Sequence, residues 1–289
     1  MFSGSGSMAE TTLKLYESHL KRLNEGKVPT SPTFLKDTQK IETFLQKYSS
    51  NTRKSYYICI VSYLKGKKFP KKISDFYTKK MVDSNRKFGE TSDEKTDKQK
   101  DNWLDWPEIV EIHKTFQLPE KVTSESEYLT CLKYVALSLY VLTPPRRVKD
   151  YALMRVVPEH SEAMDKDFNY LDVKNQMFIF NNFKTKKTYG TQSEKIPDDL
   201  FEILKRFVIP SGKKFEPTLI FRTYKGEVPA GNYITRLLNS VFKKNVSASM
   251  LRNIFLTHKL GGKKSETQSL AEAMGTSANT IANVYTKDD

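Results

Sequence analysis

Residues 85–102 form a polar, charged segment that is almost free of apolar side chains, and this segment divides the chain. On either side of it, apolar residues recur at the regular intervals expected of elements that bury a core. A segment without apolar side chains has nothing to bury and connects the parts that do. The sequence therefore predicts a linker over 85–102, a first domain over 8–84 and a second domain over 103–289.

The first domain is predicted to be entirely helical. Apolar side chains recur at helical spacing over residues 12–23, from Asp37 onward, after the cap-like pair Ser50-Asn51, and over 72–82. Residues 1–7, Met-Phe-Ser-Gly-Ser-Gly-Ser, have the composition of an added flexible leader, and we interpret Met8 as the natural start.

The second domain is predicted to mix helices with a few strands. A strongly apolar helix ends at Thr143-Pro-Pro, because proline cannot continue a helix. The period then changes to that of strands over 170–173, 176–180 and 193–196, with turns between them. Helical patterns return over 199–208, 230–242, 248–259, 266–274 and 279–285. The expected fold is therefore mainly α with a small three-stranded antiparallel sheet, an α+β class.

The charge balance points to a polyanionic partner. Lys and Arg number 48 against 34 Asp and Glu, a formal net charge of +14, and nucleic acid is the first candidate. Lysine-rich surfaces also arise from selection for solubility. No apolar run is long enough to span a bilayer and no signal peptide is visible, so we expect an intracellular protein, not a secreted one. The two cysteines and four histidines are scattered, so no metal and no cofactor is expected.

Two segments carry cations suited to a phosphodiester. Arg147 and Asp150 are three residues apart and share a helix face, so the acid can orient the guanidinium; an ordinary surface ion pair is the alternative. Lys184 lies in a predicted turn between strands, where a lysine can protonate a leaving oxygen; a solvated turn explains it equally well.

Two later segments add an arginine and a tyrosine. Ser249 and Arg252 are one helical turn apart, and an arginine held on a packed helix can clamp a phosphate; a peripheral salt bridge is the alternative. Gly275 ends one predicted helix and Ser277 caps the next, which carries Tyr285. A tyrosine near a C-terminus is more commonly a packing residue.

In this order the four segments resemble the catalytic domain of the tyrosine recombinases, the phage-integrase family. Arg147-Val-Lys-Asp-Tyr is similar to the family's first arginine box, Arg-x-x-Glu/Asp-Leu. Arg146 is the alternative, and Arg147 is preferred because Asp150 then occupies the acid position. Lys184 matches the family's hairpin lysine, with Lys186 and Lys187 as alternatives.

The later boxes also resemble the family. Ser249-Met-Leu-Arg, followed by a Phe and a Thr-His pair, is similar to His-x-Leu-Arg-x-x-Phe-x-Thr-His, and Met274-Gly-Thr-Ser is similar to Leu-Gly-His-Ser. Tyr285 then falls at the offset of the family's nucleophile. Two histidines of the pattern are replaced, by Ser249 and by Thr276, which lowers the expected turnover.

The resemblance extends to the first domain, which looks like the family's core-binding domain over Asn51-Thr-Arg-Lys-Ser-Tyr. The Pro-Pro-Arg-Arg start and the Lys98-Gln-Lys-Asp-Asn-Trp lead-in are most similar to integrases of large DNA viruses, virophages and related mobile elements. The resemblance implies an intracellular setting where the DNA is: nucleus, viral factory or cytoplasm.

The resemblance implies cleavage and rejoining of double-stranded DNA through a 3′-phosphotyrosyl intermediate, without metal or ATP. Its site would comprise Arg147, Lys184, Ser249, Arg252, Thr276 and Tyr285. The two domains would grip DNA from opposite sides, with phosphate contacts from Arg53, Lys54, Lys186 and Lys187, and a homo-oligomer, a tetramer on paired sites, would form on DNA. The alternatives are a type IB topoisomerase-like enzyme and a catalytically decayed relative that only binds DNA.

Overall fold

The structure, a computed structural model, describes residues 8–90, 95–210, 215–260, 267–277 and 280–281, with side chains omitted for 87–90 and 267–268. Its contacts divide the chain into two compact units, Met1–Ser92 and Asp93–Asp289. Each unit has its own hydrophobic core. The division falls inside the predicted linker.

The first unit is built from helices. They are α1 (Glu10–Leu23), α2 (Thr38–Gln46), α3 (Ser50–Leu64) and α4 (Lys71–Glu90), with a short 3-10 helix at Pro32–Lys36. Asp37 caps α2 by accepting a hydrogen bond from the backbone N–H of Lys40, and Ser49, one residue before the predicted pair, caps α3. Apolar positions at helical spacing point inward: Leu20, Ile41, Leu45 and Ile60 are almost fully buried.

The predicted linker is largely helical. α4 continues to Glu90, and α5 spans Asp97–Asn102 behind a capping box formed by Thr96 and Gln99. The physical reason is that Lys, Arg, Gln and Glu favour helices even where no face is buried. α5 belongs to the second unit and packs within it, because the Asn102 side-chain oxygen accepts a hydrogen bond from the Asn245 backbone at 2.8 Å.

The second unit is organised around a buried helix. Its helices are α6 (Trp106–Lys114), α7 (Glu125–Val141), α8 (Val148–Ala152), α9 (Lys186–Tyr189), α10 (Asp198–Phe207), α11 (Tyr233–Phe242), α12 (Ala248–Leu260) and α13 (Thr267–Ala273). Val135, Ala136 and Leu139 of α7 have no exposed surface and form the centre of the core. No helix among the described residues is long and apolar enough to cross a membrane.

The sheet differs from the predicted one. In the described part of the chain it has five strands in the order β4-β3-β2-β1-β5: β1 (Arg155–Val157), β2 (Tyr170–Asp172), β3 (Met177–Phe180), β4 (Gln192–Lys195) and β5 (Thr218–Leu219). β1 and β2 are parallel and the other pairs are antiparallel, so the sheet is mixed. The prediction of three antiparallel strands was wrong because β1 and β5 are too short to show alternation in the sequence.

Candidate active site

Arg146 and Arg147 lie in the connection between α7 and α8. Pro144 and Pro145 precede them and prevent the helix from continuing. Arg147 occupies the N-cap of α8 with extended backbone, φ −74° and ψ 151°. Since successive side chains of extended backbone point to opposite sides, the two guanidiniums enter different environments.

The Arg147 guanidinium reaches the segment that follows α13. Its Nη1 donates to the backbone oxygen of Gly275 at 2.7 Å, and its Nη2 donates to Oγ1 of Thr276 at 3.4 Å. The Arg147 side chain is half-buried, so part of it is accessible. The guanidinium is therefore held in one orientation, while part of the side chain remains accessible to a ligand.

Asp150 does not orient Arg147 as the spacing predicted. Its Oδ2 accepts from Nε of Arg146 at 3.1 Å, and both side chains are fully buried. Arg146 lies before the start of α8, so helical spacing does not determine this contact, and Asp150 pairs with the arginine that is buried beside it. Asp150 still helps to place Arg147, because its backbone N–H donates to the Arg147 carbonyl at 2.9 Å.

Arg252 approaches the same segment from α12. It is 1% exposed, and its Nη1 donates to the backbone oxygens of Pro145 at 3.1 Å and Met274 at 3.4 Å. Arg252 therefore joins the chain just before the tandem arginines to the chain just after α13. Two guanidiniums from distant parts of the sequence converge on residues 274–276.

The connection between β3 and β4 packs against this segment. The Thr185 hydroxyl donates to the Gly275 carbonyl, and the Tyr189 hydroxyl donates to the Thr276 carbonyl at 2.7 Å. Gln192 at the start of β4 donates to the Glu272 carbonyl at 3.0 Å. These bonds hold residues 272–276 along one edge of the sheet.

The predicted lysines lie in that same connection, which contains the short helix α9 where a simple turn was expected. Lys184 is exposed and directly precedes Thr185, so its backbone is close to the Gly275 carbonyl. Lys187 is also exposed, and Lys186 donates to the Lys166 carbonyl at 3.4 Å. Lys184 and Lys186 both adjoin Thr185, which contacts the arginine-binding segment, and of these two lysines Lys184 is the exposed one.

Ser249 has a different environment from Arg252, although one helical turn separates them. Ser249 is exposed and lines a polar cavity of about 320 Å³ together with Gln99, Asn239 and Asn253. The cavity lies at the first turn of α12. The shared environment that the spacing suggested for Ser249 and Arg252 is absent, because one side chain is exposed and the other is buried.

Thr276 is placed beside Arg147, and the expected helix start follows it. Thr276 is 1% exposed, and Ser277 caps the next turn by accepting from the Thr280 backbone at 3.1 Å. Ile281, in that turn, is fully buried. Tyr285 lies outside the described residues, four positions further along the chain.

The two predicted DNA contacts of the first unit lie in the first turns of α3. Arg53 donates to the Ser50 hydroxyl at 3.3 Å, and both Arg53 and Lys54 are half-buried. Burial lowers the pKa of the Lys54 amine, because it penalises the charged form.

Two carboxyl groups accompany the arginines, the buried Asp150 and the half-buried Glu194. The pKa of Asp150 is raised because burial penalises its charge, while the guanidiniums of Arg146, Arg147 and Arg252 oppose that increase. The pKa of Glu194 is raised for the same reason, and Arg146 again opposes the increase. Both acids contact Arg146, so they belong to one charge network.

The Glu194→Gln variant is expected to lose one contribution to the pH dependence of the free energy of unfolding. Because the folded-state pKa of Glu194 is above its ordinary value of 4.5, the folded protein binds the proton more readily than the unfolded chain. The free energy of unfolding therefore falls as pH rises through that window, and glutamine removes this fall. Urea denaturation from about pH 4 to about pH 7 measures the difference between the two proteins.

Glu127→Gln is the matched control with the opposite sign. Hydrogen bonds from Thr123 and Ser124 lower the pKa of Glu127, so its contribution to stability is present above the ordinary value of 4.5 and is lost as pH falls. A wild-type minus Glu194→Gln difference that stayed level or increased with pH would contradict the assignment.

Gly275→Ala is expected to destabilise the second unit. Gly275 has φ +59°, and an added Cβ would lie 2.7 Å from Nη2 of Arg146. The backbone strain costs about 1–2 kcal/mol, and overpacking against the guanidinium adds about 1–3 kcal/mol. Gly226→Ala is the control, since Gly226 has φ +84° but open space around the Cβ position. Equal losses of unfolding free energy for both variants would show that Arg146 does not limit this position.

Sequence reasoning missed several residues of the site. They are Thr185, Tyr189, Gln192 and Glu194, which surround residues 272–276, and Gly275, whose conformation was expected but whose contact with Arg146 was not. Arg146 was considered only as an alternative to Arg147. The tandem arginine pair was the signal that two cations enter the site.

No family model matches this chain, and no curated protein matches it. Among solved structures, the chain is similar to XerA recombinase, known from its crystal structure. The sequence identity is 13% and the TM-score is 0.43, over 97% of this chain and 88% of the XerA chain. The function is therefore inferred from the geometry of the site.

Proposed function

We propose that this chain cleaves and rejoins double-stranded DNA at specific sites, with Tyr285 as the nucleophile. The observation that supports this best is the convergence of Arg147 and Arg252 on residues 274–276. Paired guanidiniums suit the two non-bridging oxygens of a phosphodiester. The same segment leads into the capped turn that precedes Tyr285.

The proposed reaction is a transesterification. The Tyr285 hydroxyl oxygen attacks the phosphorus in line, a phosphotyrosyl P–O bond forms, and the bond to the 5′ oxygen breaks. Lys184 donates a proton to that leaving oxygen, and the tyrosine proton passes to water or to the phosphate. Arg147 and Arg252 stabilise the charge that develops on the non-bridging oxygens. Because one phosphoester replaces another, rejoining needs neither ATP nor a metal.

Thr276 and Ser249 have different parts in this proposal. The Thr276 hydroxyl accepts from Arg147, so it orients that guanidinium, and its proton remains available to a phosphate oxygen. Ser249 is exposed near the start of α12, where it can meet the DNA backbone. A serine hydroxyl cannot take up the tyrosine proton as a histidine can, so we expect cleavage to be slow.

The direct test uses a pool of labelled duplexes that carry a randomised central sequence and a nick. Attack near the nick releases a short fragment and traps the covalent intermediate. A protein–DNA adduct that survives SDS is the expected result. Duplex binding without any adduct would support the alternative of a decayed DNA-binding relative, for which the replacement of both histidines is the motivating observation.

A type IB topoisomerase-like enzyme is the other alternative, since it would use the same chemistry. Relaxation of supercoiled plasmid without exchange between two selected sites would favour it. Recombination of paired sites would favour the integrase. We also propose, from the resemblance of the motifs, an origin in a virus or mobile element, an intracellular setting, and a homo-oligomer that assembles on paired sites. Lys186, Lys187, Arg53 and Lys54 are proposed to contact phosphates.

Thr276→Val is expected to slow single-turnover cleavage on the order of tenfold, because it removes a hydrogen bond to a charged group while keeping the shape. Thr130→Val is the control, as it removes a threonine hydroxyl that bonds only within α7, to the Ser126 carbonyl. Thermal stability and DNA affinity are measured in parallel. Equal cleavage rates for wild type and Thr276→Val at equal stability would reduce Thr276 to a packing residue.

A further inference from the structure

Arg146 is fully buried and is bonded on all sides. Its Nε donates to Asp150, its Nη1 donates to Glu194 at 2.6 Å and to the Ala273 carbonyl at 2.8 Å, and its Nη2 donates to the Gln192 side-chain oxygen at 2.9 Å. The guanidinium lies 3.8 Å from the centroid of the Phe180 ring. All three of its guanidinium nitrogens donate to groups of the protein itself, so we do not assign it a direct contact with a substrate.

The partners of Arg146 come from three elements. Asp150 belongs to α8, Gln192 and Glu194 belong to β4, and Ala273 ends α13. A charged group is retained in a protein interior only where such partners satisfy it, and a single point charge cannot replace a planar fork of donors. Arg146 therefore ties the end of α13 to the sheet edge and to the first turn of α8.

Gly275 rests directly on this guanidinium. Its Cβ position lies 2.7 Å from Nη2 of Arg146, closer than any side chain permits. The same residue, through its carbonyl, accepts the hydrogen bond from Arg147, and the next residue, Thr276, accepts the second one. The position of the Arg146 guanidinium therefore fixes where the Gly275 carbonyl and the Thr276 hydroxyl lie, and these two groups bind Arg147.

The charge balance gives Arg146 a second effect. The guanidiniums of Arg146, Arg147 and Arg252 carry three positive charges, and Asp150 and Glu194 carry two negative charges when ionised. The group therefore has one net positive charge. A phosphodiester carries one negative charge. Because Arg146 holds both carboxylates, they do not occupy the hydrogen-bonding groups of Arg147 that a phosphate needs.

We propose that Arg146 is a positioning residue that fixes residues 273–276 and keeps Arg147 available for phosphate. This inference rests on the proposed function. It assigns to the first arginine of the tandem pair a role that depends on its bonds to Asp150, Glu194, Gln192 and Ala273 and on no contact with the substrate.

The test compares wild type with a triple variant that lacks Arg146 and both of its carboxylate partners. Arg146→Met, Asp150→Asn and Glu194→Gln together remove one positive and two negative charges, so that no charge of the network is left without its partner. We expect near-wild-type thermal stability and DNA affinity, but single-turnover cleavage slower on the order of 100-fold, as for a misplaced catalytic group. Wild-type cleavage by a stable triple variant would overturn the proposal.

Arg146→Lys separates charge from geometry. Lysine keeps the positive charge but cannot bond Asp150, Glu194 and Gln192 in one plane. A role limited to neutralising buried acids predicts that lysine restores cleavage, and that result would overturn the proposal. Slow cleavage by an Arg146→Lys variant that is as stable as wild type supports the proposal.

If these variants fail to fold, Gln192→Leu provides the test, because it removes only one partner of Arg146 and the bond to the Glu272 carbonyl. Gln117→Leu is the matched control, since the exposed Gln117 also donates to a backbone carbonyl, that of Thr115. We expect slower cleavage for Gln192→Leu alone. Equal rates for the two variants would overturn the proposal.

A readout independent of cleavage distinguishes this inference from the proposed function. The NMR signal of the Arg147 Nε–Hε group, assigned by its loss in Arg147→Lys, reports whether that side chain is held in one conformation. We expect a sharp signal in wild type and a shifted or broadened one in the triple variant or in Gln192→Leu. If wild-type protein forms no adduct, the proposed function fails; an unchanged Arg147 signal is what would overturn the positioning role.

Discussion

Tyr285→Phe is expected to abolish the SDS-resistant adduct while leaving DNA affinity close to that of wild type. Phenylalanine keeps the ring but lacks the hydroxyl oxygen that would form the bond to phosphorus. Affinity depends on many phosphate contacts, so the loss of one hydroxyl has little effect on it. The adduct is measured on nicked duplexes, and affinity is measured by fluorescence anisotropy on the same DNA.

Tyr189→Phe is the matched control for this experiment. The Tyr189 hydroxyl donates to the Thr276 carbonyl, so this tyrosine lies at the candidate site among the described residues. We expect Tyr189→Phe to form the adduct, at a reduced rate at most. An adduct that persists in Tyr285→Phe and disappears in Tyr189→Phe would transfer the nucleophile to Tyr189.

The second large effect is expected when the guanidinium of Arg147 or of Arg252 is removed. Arg147→Ala and Arg252→Met are each expected to raise the barrier of cleavage by about 2.7–4 kcal/mol, the loss typical of one donor to a developing oxyanion. Methionine is chosen at position 252 because Arg252 is 1% exposed and a smaller residue would leave a cavity. Single-turnover cleavage measures the barrier.

DNA affinity decides whether those losses belong to the transition state. Since binding is distributed over many phosphates, each variant should lose much less affinity than rate. Arg222→Ala is the control, because the Arg222 guanidinium donates to the Thr218 hydroxyl and has no hydrogen bond to residues 274–276 among those of the described chain. A loss of affinity that accounts for the whole loss of rate would assign Arg147 and Arg252 to binding alone.

Helices in which apolar residues recur at helical spacing over several turns were predictable. α12 spans Ala248–Leu260, against a predicted 248–259, although its burial extends beyond one face. α10 and α1 also match their predicted ranges to within two residues. Each of these elements repeats its signal over several turns, which makes it visible without tertiary information.

Short elements and polar helices were not predictable in the same way. β1 and β5 hold three and two residues, which is too few for alternation to appear. They become strands because neighbouring backbone satisfies their hydrogen bonds, as β1 does for β5. α5 carries no buried residue and is defined by its capping box, so its sequence resembled a linker.

The sequence alone singled out Arg147, Lys184, Arg252 and Tyr285 through local patterns that resemble those of a known family, and the catalytic roles of these residues stay predictions. Only the tertiary structure decided that Arg146 is fully buried while Arg147 is half-buried. Two of the partners that bury Arg146, Glu194 and the Ala273 carbonyl, lie 48 and 127 residues away along the chain. A desolvated guanidinium is stable only where such groups surround it, and no local pattern records which groups folding brings there.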